Sequence, residues 1–394
     1  MRPPGPREPS TARHESLYIP SLDGIRACSV MVVFAAHAGL RGLIPGDFGV
    51  TVFFFLSGYL ITTLLRMEHE QTGAISFRAF YLRRVLRIFP PFYLVLIVAT
   101  LLTAVNALTA PALHLHPEAL AAQALYLTNY YVIQHGWFDG HAPGTWIFWS
   151  LCIEEHFYLV FPLLYVVLLR LTPSRRRQAL ALAGICGLVL AWRLVLVFAL
   201  HASHDRTYMA TDTRIDSILF GCILGVFANP LLDRTRVSSE SWRFMWLPLG
   251  LAGLLVSFLV RAPSFQQTMA YSLQGLCLFP LFIAAVRYHG WELFQLLNLR
   301  WVKFVGVLSY SIYLVHPEVL WGVEEWAPRM LPGVVKAALG LALTLAIAYA
   351  IYRLVEKPAA RLRRRLSRVL VPTAPPAIRP AAPAPAARPE AIKL

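Results

Sequence analysis

The sequence predicts an all-α, polytopic integral membrane helix bundle of about ten transmembrane helices, and three observations carry that prediction. Hydrophobic residues make up 57% of the 394, charged residues only 14%, and the mean hydropathy is +0.56. A soluble domain of this size carries about 25% charged residues. The apolar residues gather in stretches long enough to cross a bilayer, and the arginines fall between those stretches on alternate sides.

The stretches run over 22–44, 49–65, 88–105, 146–169, 178–200, 214–229, 245–261, 268–286, 304–322 and 334–355. With the N-terminus in the cytoplasm, Arg2, Arg7 and Arg13 precede the first span. The inner connections then hold Arg66, Arg78, Arg83, Arg84 and Arg87; Arg170 and Arg175 to Arg177; Arg234, Arg236 and Arg243; and Arg287, Arg300 and Lys303. Outer connections and outer span ends hold only Arg41, Arg206, Arg214, Arg261, Arg329 and Lys336, while Arg26 and Arg193 lie within spans. This unbroken alternation places both termini in the cytoplasm, as for a multi-pass protein of a bacterial inner membrane. Residues 1–20 are expected to be a cytoplasmic segment, 21–361 the transmembrane domain, and 362–394 a basic and then Pro/Ala-rich disordered tail. The first apolar segment is long and contains an arginine, so it reads as a retained span and not as a cleaved signal peptide. The longest outer connection, 106–145, has no Lys or Arg, and its 117–134 stretch is expected to lie as a helix on the outer surface.

The net charge of +15 does not indicate nucleic acid, because the basic residues sit in topogenic clusters with no basic-aromatic surface. Cys28, Cys152, Cys186, Cys222 and Cys277 are scattered singly and read as buried thiols. His114, His116, His135 and His141 lack a suitably spaced carboxylate or thiol, so they read as solvated loop histidines and no metal is expected.

Arg26 and His37 stand out because an ionisable group inside a membrane helix costs a few kcal/mol or more and defaults to a functional suspect. Eleven residues make about three helical turns, so the two share one face about 16 Å apart. His37 is expected about 10 Å from the outer end of its span; Ser57 and Glu154, on spans entering from outside, fall about 12 Å deep. A base, a hydroxyl and a carboxylate at one depth form a candidate acid–base site in which His37 and Glu154 share a proton. Ser57-Gly58 also reads as small residues allowing close helix packing. Glu155 points about 100° away from Glu154 and is secondary. Arg84 and Arg87, three residues apart, share a helix face at the inner surface, where forked guanidinium donors suit a phosphorylated ligand; Arg83 and Arg26 lie close by in depth.

These segments together resemble the membrane-bound acyltransferase-3 family, from about Ser21 to Arg361 and in order. Arg26 followed by ten residues and His37 is similar to the family's Arg-x10-His signature. Phe53-Phe54-Phe55-Leu56-Ser57-Gly58 resembles its FFxxSG motif, Arg83-Arg84-x-x-Arg87-Ile88-x-Pro90 its RRxxRIxP motif, and Trp149-Ser150-Leu151-x-Ile153-Glu154-Glu155-x-Phe157-Tyr158 its WSLxxEexFY segment. Weaker blocks are Thr213-Arg214-Ile215-Asp216, Leu308 to Pro317 and Glu356-Lys357-Pro358. Thr51 stands where many members have Asp, His156 where Gln is common, and Ile147 where a polar residue often precedes Trp-Ser-Leu. A subgroup carries a fused extracytoplasmic domain, and the chain's length is not expected to include one.

The resemblance implies O-acyl transfer, taken as acetyl, from a cytoplasmic acyl-coenzyme A to a hydroxyl of a carbohydrate, cell-envelope glycan or macrolide-type acceptor. No resident cofactor is expected; acyl-coenzyme A is a co-substrate, and membrane lipid surrounds the protein. His37 would act as general base with Glu154 orienting its ring, and Arg26 would hold donor phosphates with Arg84 and Arg87, or polarise the thioester. Arg83, Ser57, Trp149 and Ser150 complete the expected substrate contacts, with direct transfer favoured over an acyl-Ser57 intermediate. The rival reading is a secondary transporter, which also uses buried His, Glu and Arg, although no paired halves with broken helices are visible.

Overall fold

The computed structural model describes residues 21–40, 42–105 and 114–370, and among them every regular element is helical. The N-terminal segment 1–20, Arg41, the 106–113 part of the outer connection and the tail from 371 lie outside the described residues.

In chain order, α1 (Leu22–Ala35) runs into a π-turn over Ala36–Leu40, and α2 (Gly46–Thr72) and α3 (Phe77–Ala104) follow. The outer connection folds as two short helices, α4 (Pro117–Ala124) and α5 (Thr128–His135), where one surface helix was expected. Both are packed into the protein, since Ala119, Gln123, Asn129 and Val132 are buried. Then come α6 (Trp149–Leu171), α7 (Arg175–Phe198), α8 (His204–Met209) and α9 (Thr211–Val226). A single turn, α10 (Ser239–Ser241), leads through π-helical residues 242–246 into α11 (Leu247–Leu259). The short α12 (Pro263–Gln267) and α14 (Glu292–Gln295) flank α13 (Met269–Arg287). The chain ends with α15 (Arg300–Trp326), α16 (Gly333–Ile351) and, past a π-turn, α17 (Lys357–Leu370). The basic start of the expected tail is thus helical through Leu370.

Among the described residues, nine helices are long and apolar enough to cross a membrane. The tenth predicted span, 214–229, is α9, whose 16 residues reach only about 24 Å. It is enclosed by α2, α7 and α13 and need not match the bilayer by its own length. Its packing on α2 is close because Gly58 and Gly221 face backbone: a Cβ at Gly58 would strike Ile218 O, and one at Gly221 would strike Phe55 O. Small residues let membrane helices approach in this way, so the packing reading of Ser57-Gly58 holds for the glycine.

Buried polar groups tie the bundle together. Arg193 of α7, fully buried, donates 2.9 and 2.7 Å bonds to the two Asp216 oxygens of α9, and further bonds to Ser272 Oγ and the Thr268 carbonyl. Arg214 donates to Thr51 Oγ1 at 3.1 Å and lies 3.8 Å over the Tyr271 ring. His156 of α6 bonds Thr211 of α9 at 2.7 Å. At one end of the bundle Arg66 and Arg175 converge on Asp233 and Glu70. Four cysteines are buried as expected, whereas Cys28 is exposed on the outer face of α1.

Candidate active site

The helix that carries Arg26 and His37 is not regular between them. It is α-helical to Ala35, then enters the π-turn that holds His37 and kinks at Ala38 (φ −80°, ψ 18°) and Gly39 (φ 103°, ψ 0°) before ending at Leu40. The expected span to residue 44 is therefore too long: His37 lies three residues, about 5 Å, from the helix end. Glu154 lies five residues into α6, beyond the 3-10 turn Thr145–Phe148. The depths that were expected to coincide differ.

That difference separates the two groups. The Glu154 carboxylate accepts a 2.6 Å bond from Ser57 Oγ, and Tyr158 OH donates to the same Ser57 at 3.1 Å. The His37 imidazole meets His316 of α15, with Nδ1 2.8 Å from its Nε2 and the rings stacked 5.1 Å apart. The expected His37–Glu154 pairing is replaced by two pairs, His37–His316 and Ser57–Glu154.

Ser57 and Glu154 line one cavity, and His37 lines another. The inner cavity, about 90 Å³, is lined by Arg26, Ser57, Arg84, Arg87, Ser150, Glu154, Glu155, Ser309 and Tyr310. Arg26 Nε donates to Ser309 Oγ at 3.1 Å. The Arg84 guanidinium lies 5.4 Å over the Tyr158 ring, and its Nε is buried without a protein acceptor. Arg83 is not brought in: it turns aside and pairs with Glu68 at 2.9 Å. The outer cavity, about 240 Å³, is lined by His37, Asp47, Trp137, Trp146, Trp149, His204, Asp205 and Tyr208. Trp149 packs 4.6 Å from the Tyr208 ring, and Tyr208 donates a 2.6 Å bond to Asp47. Val50 and Tyr313 line both cavities and form the partition between them. Tyr313 is held there by a 2.5 Å bond to the Ser150 hydroxyl.

The histidine pair has a defined proton arrangement. His316 Nδ1 lies 3.1 Å from the Ile312 carbonyl and 2.9 Å from the Tyr313 carbonyl. Both are acceptors, so Nδ1 carries the proton and Nε2 accepts. His37 must then donate from Nδ1, which leaves the lone pair of its neutral ring on Nε2. A base oriented in this way is competent for proton abstraction. His316 and Tyr313 were not singled out from the sequence; their signal was the Leu308–Pro317 block, which was read as a weak motif. Asp47 had no sequence signal beyond its place before the second span. The loop histidines split in behaviour: His116 lies 3.4 Å from Asp139, while His141 is 2% exposed and packs edge-on against Tyr131.

The described helices form a polytopic membrane bundle with His37 on one side of a buried tyrosine partition and guanidinium groups on the other. The chain belongs to the acyltransferase-3 family, whose model, described as an acyltransferase domain, matches residues 19–353. It is 28% identical over 328 residues to the peptidoglycan O-acetyltransferase OatA of Listeria monocytogenes, covering 79% of this chain and 50% of that protein. It is 31% identical over 320 residues to the O-acetyltransferase OatA of Staphylococcus aureus (strain NCTC 8325), covering 78% of this chain and 52% of the relative. A putative O-acetyltransferase of S. aureus strain COL is 29% identical over 319 residues, with the same coverage. The chain therefore spans about half the length of the curated relatives it matches. No solved structure matches it. The family assignment does not favour the transporter reading.

Proposed function

We propose that this chain is an O-acetyltransferase that moves an acetyl group from acetyl-coenzyme A, bound from the cytoplasm, to a hydroxyl of a cell-envelope glycan at the outer side of a bacterial inner membrane. The observation that carries the reading is the paired cavities: Arg26, Arg84 and Arg87 line one, His37 lines the other, and Tyr313 and Val50 line both. Orientation follows from the arginine alternation, which puts Arg84 and Arg87 at the cytoplasmic side and His37 near the outer side.

Arg84 and Arg87 bind the donor phosphates, for which the unpartnered Arg84 Nε is a waiting donor. The thioester end enters the inner cavity past Arg26. An acetyl donor is taken because the relatives are named O-acetyltransferases. The acceptor glycan occupies the outer cavity, where Trp137, Trp146 and Trp149 offer the flat apolar faces on which sugar rings stack. At the partition, the acceptor oxygen attacks the thioester carbonyl carbon as its proton passes to His37 Nε2. The carbon–sulfur bond breaks, and coenzyme A leaves as a thiolate that takes up a proton. Arg26 and the Ser57–Glu154 pair line the donor side of this junction.

The test is turnover in proteoliposomes with labelled acetyl-coenzyme A added outside inside-out vesicles and a soluble glycan oligomer enclosed. Acetylated glycan is expected, and His37→Ala should lower the rate by about 10²–10⁴-fold without loss of insertion. Glycan that crosses unmodified, or undiminished turnover by the variant, overturns the reading.

A further inference from the structure

A third, larger cavity shares no lining residue with either of the paired cavities. It sits between α3, α15 and α16 and measures about 680 Å³. Ligand pockets run about 300–1,000 Å³. Its walls are apolar, with Val98, Leu102, Val319, Val323, Leu343 and Ile347 among them. The exception is Glu318. This carboxyl lines the cavity, its residue is only 9% exposed, and neither oxygen has a hydrogen-bond partner. A buried polar group without a partner is destabilising, and one in a membrane span is a functional suspect.

We propose that this cavity binds a neutral membrane lipid with a free hydroxyl, of the diacylglycerol class: the hydrocarbon chain fills the apolar space and the hydroxyl bonds Glu318. The three walls belong to membrane-length helices, so hydrocarbon is the solvent at the cavity mouth. Glu318 lies eight residues before the end of α15, about 12 Å below the helix terminus. A charged headgroup is costly at that depth. A phosphate there would also face the carboxyl oxygens, and an ammonium would bury a second charge. A hydroxyl can donate to a carboxylate or accept from a carboxylic acid, so it satisfies Glu318 in either protonation state.

The experiment is photolabelling of the full chain in proteoliposomes with a diazirine-bearing diacylglycerol. Its hydroxyl methyl ether and a diazirine phosphatidylethanolamine serve as comparison probes. The diacylglycerol probe should label peptides 315–331 and 339–351 at least fivefold more than the methyl ether does. Glu318→Leu should remove that preference, and Glu318→Gln, which keeps an acceptor and a donor, should retain it within twofold. Equal labelling by the methyl ether or the phosphatidylethanolamine overturns the proposal, as does labelling spread evenly over the lipid-facing sides of α7 and α11. If Glu318→Leu does not insert, the probe comparison on the unmodified chain decides.

Discussion

At the scale of single residues, the protonation of His37 is set by a neighbour that holds no obvious chemistry of its own. His316 presents an acceptor because two backbone carbonyls hold its other nitrogen as a donor. His316→Phe keeps a ring in the stack but removes the acceptor. It is expected to lower kcat about tenfold or more with little change in donor KM, and to reshape the acid limb of the pH–rate profile; His316→Gln should recover part of the loss. Initial rates across pH on the purified variants check this. Arg214 makes a second residue-level case. It is fully buried, and its hydrogen bond to Thr51 has a neutral acceptor at a position where many family members carry Asp. Thr51→Asp would supply a charged acceptor worth about 1.5–3 kcal/mol, so the melting temperature in detergent should rise. The candidate site residues were picked out from sequence because ionisable groups are conspicuous against an apolar span. Their partners were not, since a bond such as Ser57–Glu154 joins residues on separate helices.

At the scale of elements, helix type and length were largely legible, and irregularities were not. The apolar stretches located the long helices, but not the π-turn at Ala36–Leu40, which depends on local hydrogen-bond choice and on Gly39 accepting φ 103°. The outer connection shows the same division. Its histidines look alike in sequence, yet His141 is folded under the loop with neither ring nitrogen partnered. Desolvation pushes its pKa down to about 4, against an opposing pull from Asp139 and with smaller repulsion from His116 and His135. The unfolded ring titrates near about 6.5. Between these values the unfolded segment binds more protons, so the stability of the loop is complete above about pH 6.5 and is lost as pH falls toward 4. Protection factors for hydrogen exchange over 136–144, corrected for the intrinsic pH dependence of exchange, should fall between pH 7 and pH 5, and His141→Phe should abolish that fall.

At the scale of the whole molecule, the two cavities predict a division of kinetic effects. Arg84→Ala with Arg87→Ala should raise the donor KM about tenfold or more and leave the acceptor KM near its original value. Trp149→Ala should do the reverse; steady-state kinetics with each substrate varied checks the split, and coincident effects would place both substrates in one cavity. The chain's composition and the spacing of its arginines were sufficient for a membrane bundle and its orientation to be predicted, because the bilayer imposes length and charge rules that act on sequence directly. The ordered motifs were sufficient for the family. Which polar groups meet was decided only by tertiary packing: contacts among α1, α2, α6 and α15 depend on how helices pass one another, and periodicity along one helix carries no record of its neighbours. Hence His37 came to His316, Glu154 to Ser57, and Tyr313 to the boundary between the two cavities.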